Sequence, residues 1–135
     1  MAAFRHRERV RYIECDAQGV VFNSHYLAYC DVGVTELWRA AFGSYEEMFK
    51  GGVDMVVAEA RVRYLDGLRF DDAFDIVITV GRLGETSATI EFALERAGAE
   101  VCAECELRYV FVRAGTVEKI AIPSDVRTGL ERYAS

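Results

Sequence analysis

Two hydrophobic periods run along this chain, and the switch between them divides it. Residues 24–42 repeat at helical spacing: Tyr26, Cys30, Gly33, Leu37 and Ala41 form one stripe, with Leu27, Val34 and Trp38 beside it. This predicts one long helix. Asn23 or Ser24 is placed to cap its start, and Gly43 to stop it in a left-handed conformation. Charge on the helix is confined to Asp31, Glu36 and Arg39, so it is expected to be enclosed on most sides. A short helical turn from Ser44 to Lys50 follows, broken by Gly51-Gly52.

From Val53 onward the period is two. Ala58, Ala60, Val62 and Tyr64 alternate with Glu59, Arg61 and Arg63. Phe74 to Val80, Ala88 to Leu94 and Val101 to Phe111 repeat the pattern, and Val117 to Ile122 is expected to continue or edge the sheet. Asp66-Gly67, Gly81 to Glu85, Ala97-Gly98 and Ala114-Gly115 supply the turns. Arg7 to Ile13 reads as a strand ahead of the long helix, and Pro123-Ser124-Asp125 opens a short helix ending near Tyr133.

The order is strand, long helix, then strands in hairpin succession. A sheet of that kind buries its apolar face by curling over the one helix. The fold class is α+β, an antiparallel β-sheet wrapped around a long central α-helix, in one domain spanning residues 1–135. Such a small sheet leaves strand edges open, and edges invite pairing, so at least a homodimer is expected.

Composition adds exclusions. The chain is 52% hydrophobic and 28% charged, ordinary for a soluble globular protein. A net charge of -6 argues against nucleic acid or an anionic membrane surface as the partner. No apolar run is long enough to span a membrane. The start, from Met1 and Ala2 to Arg7, lacks the apolar segment of a signal peptide, so a cytoplasmic location is expected. Cys102 and Cys105 have CxxC spacing, but they fall in a strand pattern that places positions three apart on opposite faces. With only His6 and His25 available, no metal ligand set emerges.

The chemistry concentrates in Asp16 to Tyr26, where a lone carboxylate, a Gly turn and the start of an apolar helix follow one another. A helix N-terminus offers unpaired N–H groups and partial positive charge. Those groups can polarise a carbonyl while the carboxylate drives attack on it. Asp16 also suits an Asx-turn, and Asn23 suits a cap. His25 is a candidate base by residue type, and Asp31 and Glu36 are further carboxylates, more simply read as a helix-surface ion pair and a solvated group.

The pattern Asp-x-x-Gly-x-Val-x-x-x-x-Tyr at the entry to a long helix, followed by antiparallel strands, resembles the 4-hydroxybenzoyl-CoA thioesterase family of hot dog proteins. Within that family it resembles the Tol-Pal-associated acyl-CoA thioesterases. The resemblance runs from about Arg7 to Tyr133. It implies a catalytic carboxylate at Asp16, a tight-turn glycine at Gly19, a helix-entry tyrosine at Tyr26, and an oxyanion donor in the backbone N–H near Asn23. It also implies that the Thr86-Ser87 pair faces the CoA arm. Many relatives carry Tyr or His at the position of Asn23. The basic residue common just before the hydroxyl pair is Gly84 here, with Arg82 two residues earlier.

The resemblance implies hydrolysis of an acyl-CoA thioester to an acid and CoA, with Asp16 as nucleophile or general base. CoA is part of the substrate, and no cofactor or metal is implied. An acyl carrier protein is the alternative carrier. Arg82 is the favoured contact for the CoA phosphates, ahead of Arg61, Arg63, Arg69, Arg108 and Arg113. Hot dog relatives join sheets edge to edge and pair dimers, implying a homodimer or homotetramer with sites built from both chains. The competing readings are a hot dog hydratase or dehydratase, which needs an Asp–His pair, and a non-catalytic acyl-CoA- or acyl-carrier-binding module.

Overall fold

The computed structural model describes residues 3–98 and 100–135; Met1, Ala2 and Ala99 lie outside the described residues. Strand β1 (Phe4–Arg9) is followed by a 3-10 turn at Tyr12–Glu14, helix α1 (His25–Phe42) and helix α2 (Tyr45–Lys50). Strands β2 (Val53–Tyr64), β3 (Ala73–Leu83), β4 (Ser87–Arg96) and β5 (Glu100–Arg113) come next, then helix α3 (Ser124–Glu131). The strands form one antiparallel sheet in the order β1-β3-β4-β5-β2. This is the hot dog arrangement that the period change predicts.

The alternation explains the packing. Phe74, Ile76 and Ile78 of β3, Ile90, Phe92 and Leu94 of β4, and Leu107 and Phe111 of β5 all turn to one face and are buried there. Tyr29, Cys30, Leu37 and Trp38 of α1 close on that face. Full burial of side chains such as Leu37 contributes about 1.5–3 kcal/mol each. The approach is tight because Gly33 faces the sheet: a Cβ there would sit 2.7 Å from Cγ2 of Ile76.

Four details depart from the periodicity. Strand β1 ends at Arg9, and Tyr12 and Ile13 are exposed on the 3-10 turn instead of continuing it. Glu14 holds that turn, accepting from the Arg11 N–H at 2.8 Å and from the Tyr29 hydroxyl at 2.6 Å. Helix α1 keeps one open side, with Leu27 39% exposed and Ala28, Asp31 and Thr35 also exposed. Residues 117–122 meet the sheet through a lone bridge, Val112 to Lys119, not as a strand. Finally, β5 bulges at Cys102, since Leu94 pairs with Ala103 but Glu95 with Val101. The extra residue turns Cys102 inward, so both CxxC cysteines are buried, contrary to the simple alternation.

Strand β2 is a sheet edge. Beyond Met55 nearly every position is exposed to some degree on both faces, including Val56 and Val57. No helix among the described residues is long and apolar enough to cross a membrane.

Candidate active site

Asp16 sits in a small hairpin stacked on the start of α1. Cys15 bridges Val21, the Asp16 N–H donates to the Val20 carbonyl at 2.9 Å, and the Gly19 N–H donates to the Asp16 carbonyl at 3.0 Å. Gly19 closes this turn at φ +82, a conformation that favours glycine. It shapes the loop; Asp16, Ala17, Gln18 and Val20 supply that loop's share of the cleft lining. The Asp16 carboxylate accepts the Gln18 N–H on Oδ1 at 2.8 Å, the Asx-turn read from the sequence. Its Oδ2 has no hydrogen-bond partner among the described residues. Asp16 therefore supports its own loop with one oxygen and leaves the other available.

That loop is one wall of a cleft of about 720 Å³ whose lining includes Asp16, Phe22, Asn23, Tyr26, Tyr64 and Gly67. The opposite wall is the β2–β3 connection, joined to the hairpin by the Val20–Arg69 bridge and by the Val21 N–H to Leu68 carbonyl bond of 2.8 Å. Gly67 is required at this junction, because a Cβ would meet Cγ1 of Val20 at 2.8 Å. Tyr26 is 3% exposed and its hydroxyl accepts the Leu68 N–H at 3.3 Å, so the helix-entry tyrosine braces both walls. Burial raises its pKa and keeps it neutral.

The start of α1 is open. The His25 N–H donates to the Phe22 carbonyl at 2.9 Å, and the Tyr26 N–H to the Asn23 carbonyl at 3.4 Å. The N–H groups of Asn23 and Ser24 have no hydrogen-bond acceptor among the described residues. Ser24 is the N-cap residue, but its side chain makes no capping hydrogen bond, nor does that of Asn23. The expected side-chain cap is absent because Ser24 already has helical backbone angles, φ -70 and ψ -21, and not the extended ones of a capping serine. The free Asn23 N–H and the positive end of an 18-residue helix thus lie at the cleft that Asp16 lines, whereas Ser24 is not among its lining residues. This arrangement can bind an oxyanion beside a carboxylate.

The cleft's second wall is held by Arg96, which the sequence did not single out. Its Nη1 donates to Asp66 at 3.2 Å and Glu100 at 2.5 Å, and its Nη2 to the Gly67 carbonyl. Its Nε lies 3.2 Å from Asp72 as an ion pair, off the line of a hydrogen bond. Asp66, Glu100 and Cys102 converge within 4.8 Å, a spacing a metal ion would suit. The guanidinium already holds both carboxylates, and burial raises the Cys102 thiol pKa, favouring its protonated form. The donor set does not fit a metal.

The remaining predicted site residues lie elsewhere. Arg82 pairs with Thr89, and Ser87 with Val110, at the far end of the sheet from the Leu94–Ala103 pair beside the cleft. The seven steps along β4 from Ser87 to Leu94 span about 24 Å. Within one chain, Arg82, Thr86 and Ser87 are therefore separated from Asp16, Asn23 and Tyr26. Among the described residues Arg63, Arg108 and Arg113 are engaged in ion pairs, whereas Arg61, Arg69 and Arg82 are not. Glu36 pairs with Arg39 at 2.5 Å on the helix surface. His25 is not among the residues that line the cleft, so Asp16 has no histidine partner there.

Comparison with known proteins identifies the family of the chain. The acyl-CoA thioester hydrolase YbgC of Escherichia coli O6:H1 is 28% identical over 123 residues, which is 91% of this chain and 92% of that protein. A solved structure of a Pseudomonas aeruginosa PAO1 protein superposes with a TM-score of 0.90 at 27% identity, covering 98% of this chain and 92% of the other. One from Aquifex aeolicus gives 0.87 at 27% identity, covering 94% and 98%. The family profile described as the thioesterase-like superfamily matches residues 10–130. The chain belongs to the thioesterase-like superfamily.

Proposed function

We propose that this protein is an acyl-CoA thioester hydrolase of the 4-hydroxybenzoyl-CoA thioesterase type, close in kind to YbgC. The observation that supports the reading is the shared cleft: Asp16 and Asn23 both line it, and the Asn23 N–H has no hydrogen-bond acceptor among the described residues. The thioester carbonyl oxygen accepts the N–H at the helix start near Asn23, which stabilises the charge that develops on it. Asp16 then acts in one of two ways. It attacks the carbonyl carbon, expelling the thiolate and leaving a mixed anhydride that water hydrolyses. Alternatively it takes a proton from water, whose oxygen attacks the carbon directly. Both routes consume one water and release a carboxylic acid and CoA thiol, with no cofactor.

A complete site needs a second copy. The open β2 edges of two chains pair antiparallel about a twofold axis. Antiparallel pairing reverses the partner, so its Val53 end comes beside this chain's Tyr64 end. The partner's β3–β4 hairpin, carrying its Arg82, Thr86 and Ser87, is then at the same end as Asp16. The acidic chain thereby offers a local basic contact to the CoA phosphates, and a homodimer or a pair of dimers is the working form. An acyl carrier protein is the alternative source of the thioester, and the cytoplasm the expected setting.

The test is thiol release from a panel of acyl-CoAs by wild type and Asp16→Asn. Asparagine keeps the Asx-turn acceptor but is neither base nor nucleophile, so turnover should fall about 10²–10⁴-fold while CoA binding persists. Turnover of the best substrate within a few-fold of wild type would remove Asp16 from the chemistry. No turnover by wild type on any substrate would favour the binding-module reading.

A further inference from the structure

Three exposed large apolar side chains line the Asp16 cleft: Phe22, Leu65 and Tyr64, which are 47%, 48% and 54% exposed. They come from both walls, Phe22 from the helix entry and the other two from the end of β2 and the loop after it. Apolar surface grouped in a concave site is expected where a ligand covers it. The charge in the cleft has one sign. Asp16 and Asp66 line it, and no Lys, Arg or His is among its lining residues.

Asp66 is fixed in the wall. Its Oδ1 accepts the Gly67 N–H at 2.9 Å, and its Oδ2 lies 3.2 Å from Nη1 of Arg96. The guanidinium does not neutralise it, because Arg96 also pairs with Asp72 and Glu100. One positive charge against three negative ones leaves the wall an excess of two. Arg96 itself is not among the lining residues. Arg63, next to Tyr64, is engaged by Glu104, and Arg69 is exposed outside the lining.

We propose that the cleft selects acyl groups that carry no negative charge, and that Asp66 is the residue that sets this specificity. This rests on the hydrolase reading above and names its acyl class, an uncharged apolar tail laid against Phe22, Leu65 and Tyr64. A tail that ends in a carboxylate brings another negative charge into the cleft and meets no cation in the lining. It gives up hydration without gaining a partner, which is costly. Repulsion by Asp66 adds to that cost. Specificity here comes from the element that rejects the wrong substrate, beside the apolar surface that accepts the right one.

The test compares glutaryl-CoA with its monomethyl ester, read as thiol release. The two have the same chain and differ in the terminal charge. Wild type should show a kcat/KM for the ester about tenfold or more above that for glutaryl-CoA. Raising the salt from about 0.01 to 1 M shortens the Debye length from about 30 to 3 Å and should narrow the ratio. This measurement needs no variant. Asp66→Asn keeps an acceptor for the Gly67 N–H and removes the charge, and should narrow the ratio about threefold or more. Leu65→Arg adds a cation to the lining and should bring the ratio near one. A wild-type ratio near one would overturn the proposal. So would a ratio that salt leaves unmoved, or one that a folded Asp66→Asn or Leu65→Arg variant leaves unmoved, since shape and not charge would then discriminate. A ratio that moves with Arg82→Ala and not with Asp66→Asn would overturn it in favour of a tail read by the β3–β4 hairpin. Failure of the hydrolase reading looks different: wild-type protein that turns over neither substrate nor any other acyl-CoA.

Discussion

Replacing Ser24 with proline should separate catalysis from folding more cleanly than any change to a side chain of the cleft. Ser24 has φ -70, within the range of about -65 ± 15° that the proline ring imposes. Its N–H donates to no described group, and its side chain makes no cap. Proline therefore removes no hydrogen bond from the folded chain. A compatible proline stabilises by about 0.4–1 kcal/mol through the unfolded state, against some restriction of Asn23 toward extended angles. The net should lie within about 1 kcal/mol, or roughly 4 °C in the unfolding midpoint. If the Ser24 N–H belongs to the proposed oxyanion site, catalysis loses about 10²–10³-fold, or 2.7–4 kcal/mol, with it. Ser24→Ala keeps the N–H and should stay within about threefold of wild type. Steady-state hydrolysis and thermal unfolding on the three proteins provide the assay. A folded Ser24→Pro variant with near wild-type kcat would refute the donor role. Equal losses in the Ala and Pro variants would shift the function to the hydroxyl.

Two further outcomes concern stability. Gly33→Ala gains about 1 kcal/mol of helix propensity but sets its Cβ 2.7 Å from Ile76 and 3.0 Å from Ile78. Overpacking costs about 1–3 kcal/mol, so the urea midpoint should fall; a rise would show that the sheet yields freely there. The hydrogen bond from Arg7 holds the Asp75 carboxyl below its usual range, with Arg5 adding to it. A depressed carboxyl stabilises the fold above its unfolded pKa, and that contribution is lost as pH falls through the lower folded value. Asp75→Asn should therefore melt lower than wild type at pH 7, with the gap closing below about pH 3.9. A gap independent of pH would mean that charge is not its origin.

Much of this was legible in the sequence because it is periodic. Residues 25–42 and the four long strands announce themselves by spacing, and Asp16, Asn23 and Tyr26 do share a cleft. What stayed hidden depends on contacts between distant residues. Tyr12 and Ile13 look like strand, but the Glu14 carboxylate, held 15 residues away by Tyr29, bends them outward. Cys102 looks outward-facing until the bulge against Leu94 and Glu95 reverses it. Arg96 carries no sequence signal, because its partners Asp66, Gly67 and Asp72 lie in the β2–β3 loop, about 25–30 residues away, and Glu100 opens β5. The separation of Arg82 from Asp16 follows from strand pairing, which spacing alone does not specify.

The Arg96 anchor has a consequence for how a substrate meets the protein. Residues 65–72 form a loop without helix or strand, the kind of segment that elsewhere stays mobile until a ligand orders it. Ordering backbone costs about 1–2 kcal/mol per residue. Here one guanidinium grips that loop at both ends, so the cost falls on folding and the incoming acyl group meets a finished wall. Association should then be a fast, lock-and-key encounter with little conformational entropy to surrender. Loosening the grip would convert it into coupled ordering and binding, with weaker affinity and a strong dependence on temperature.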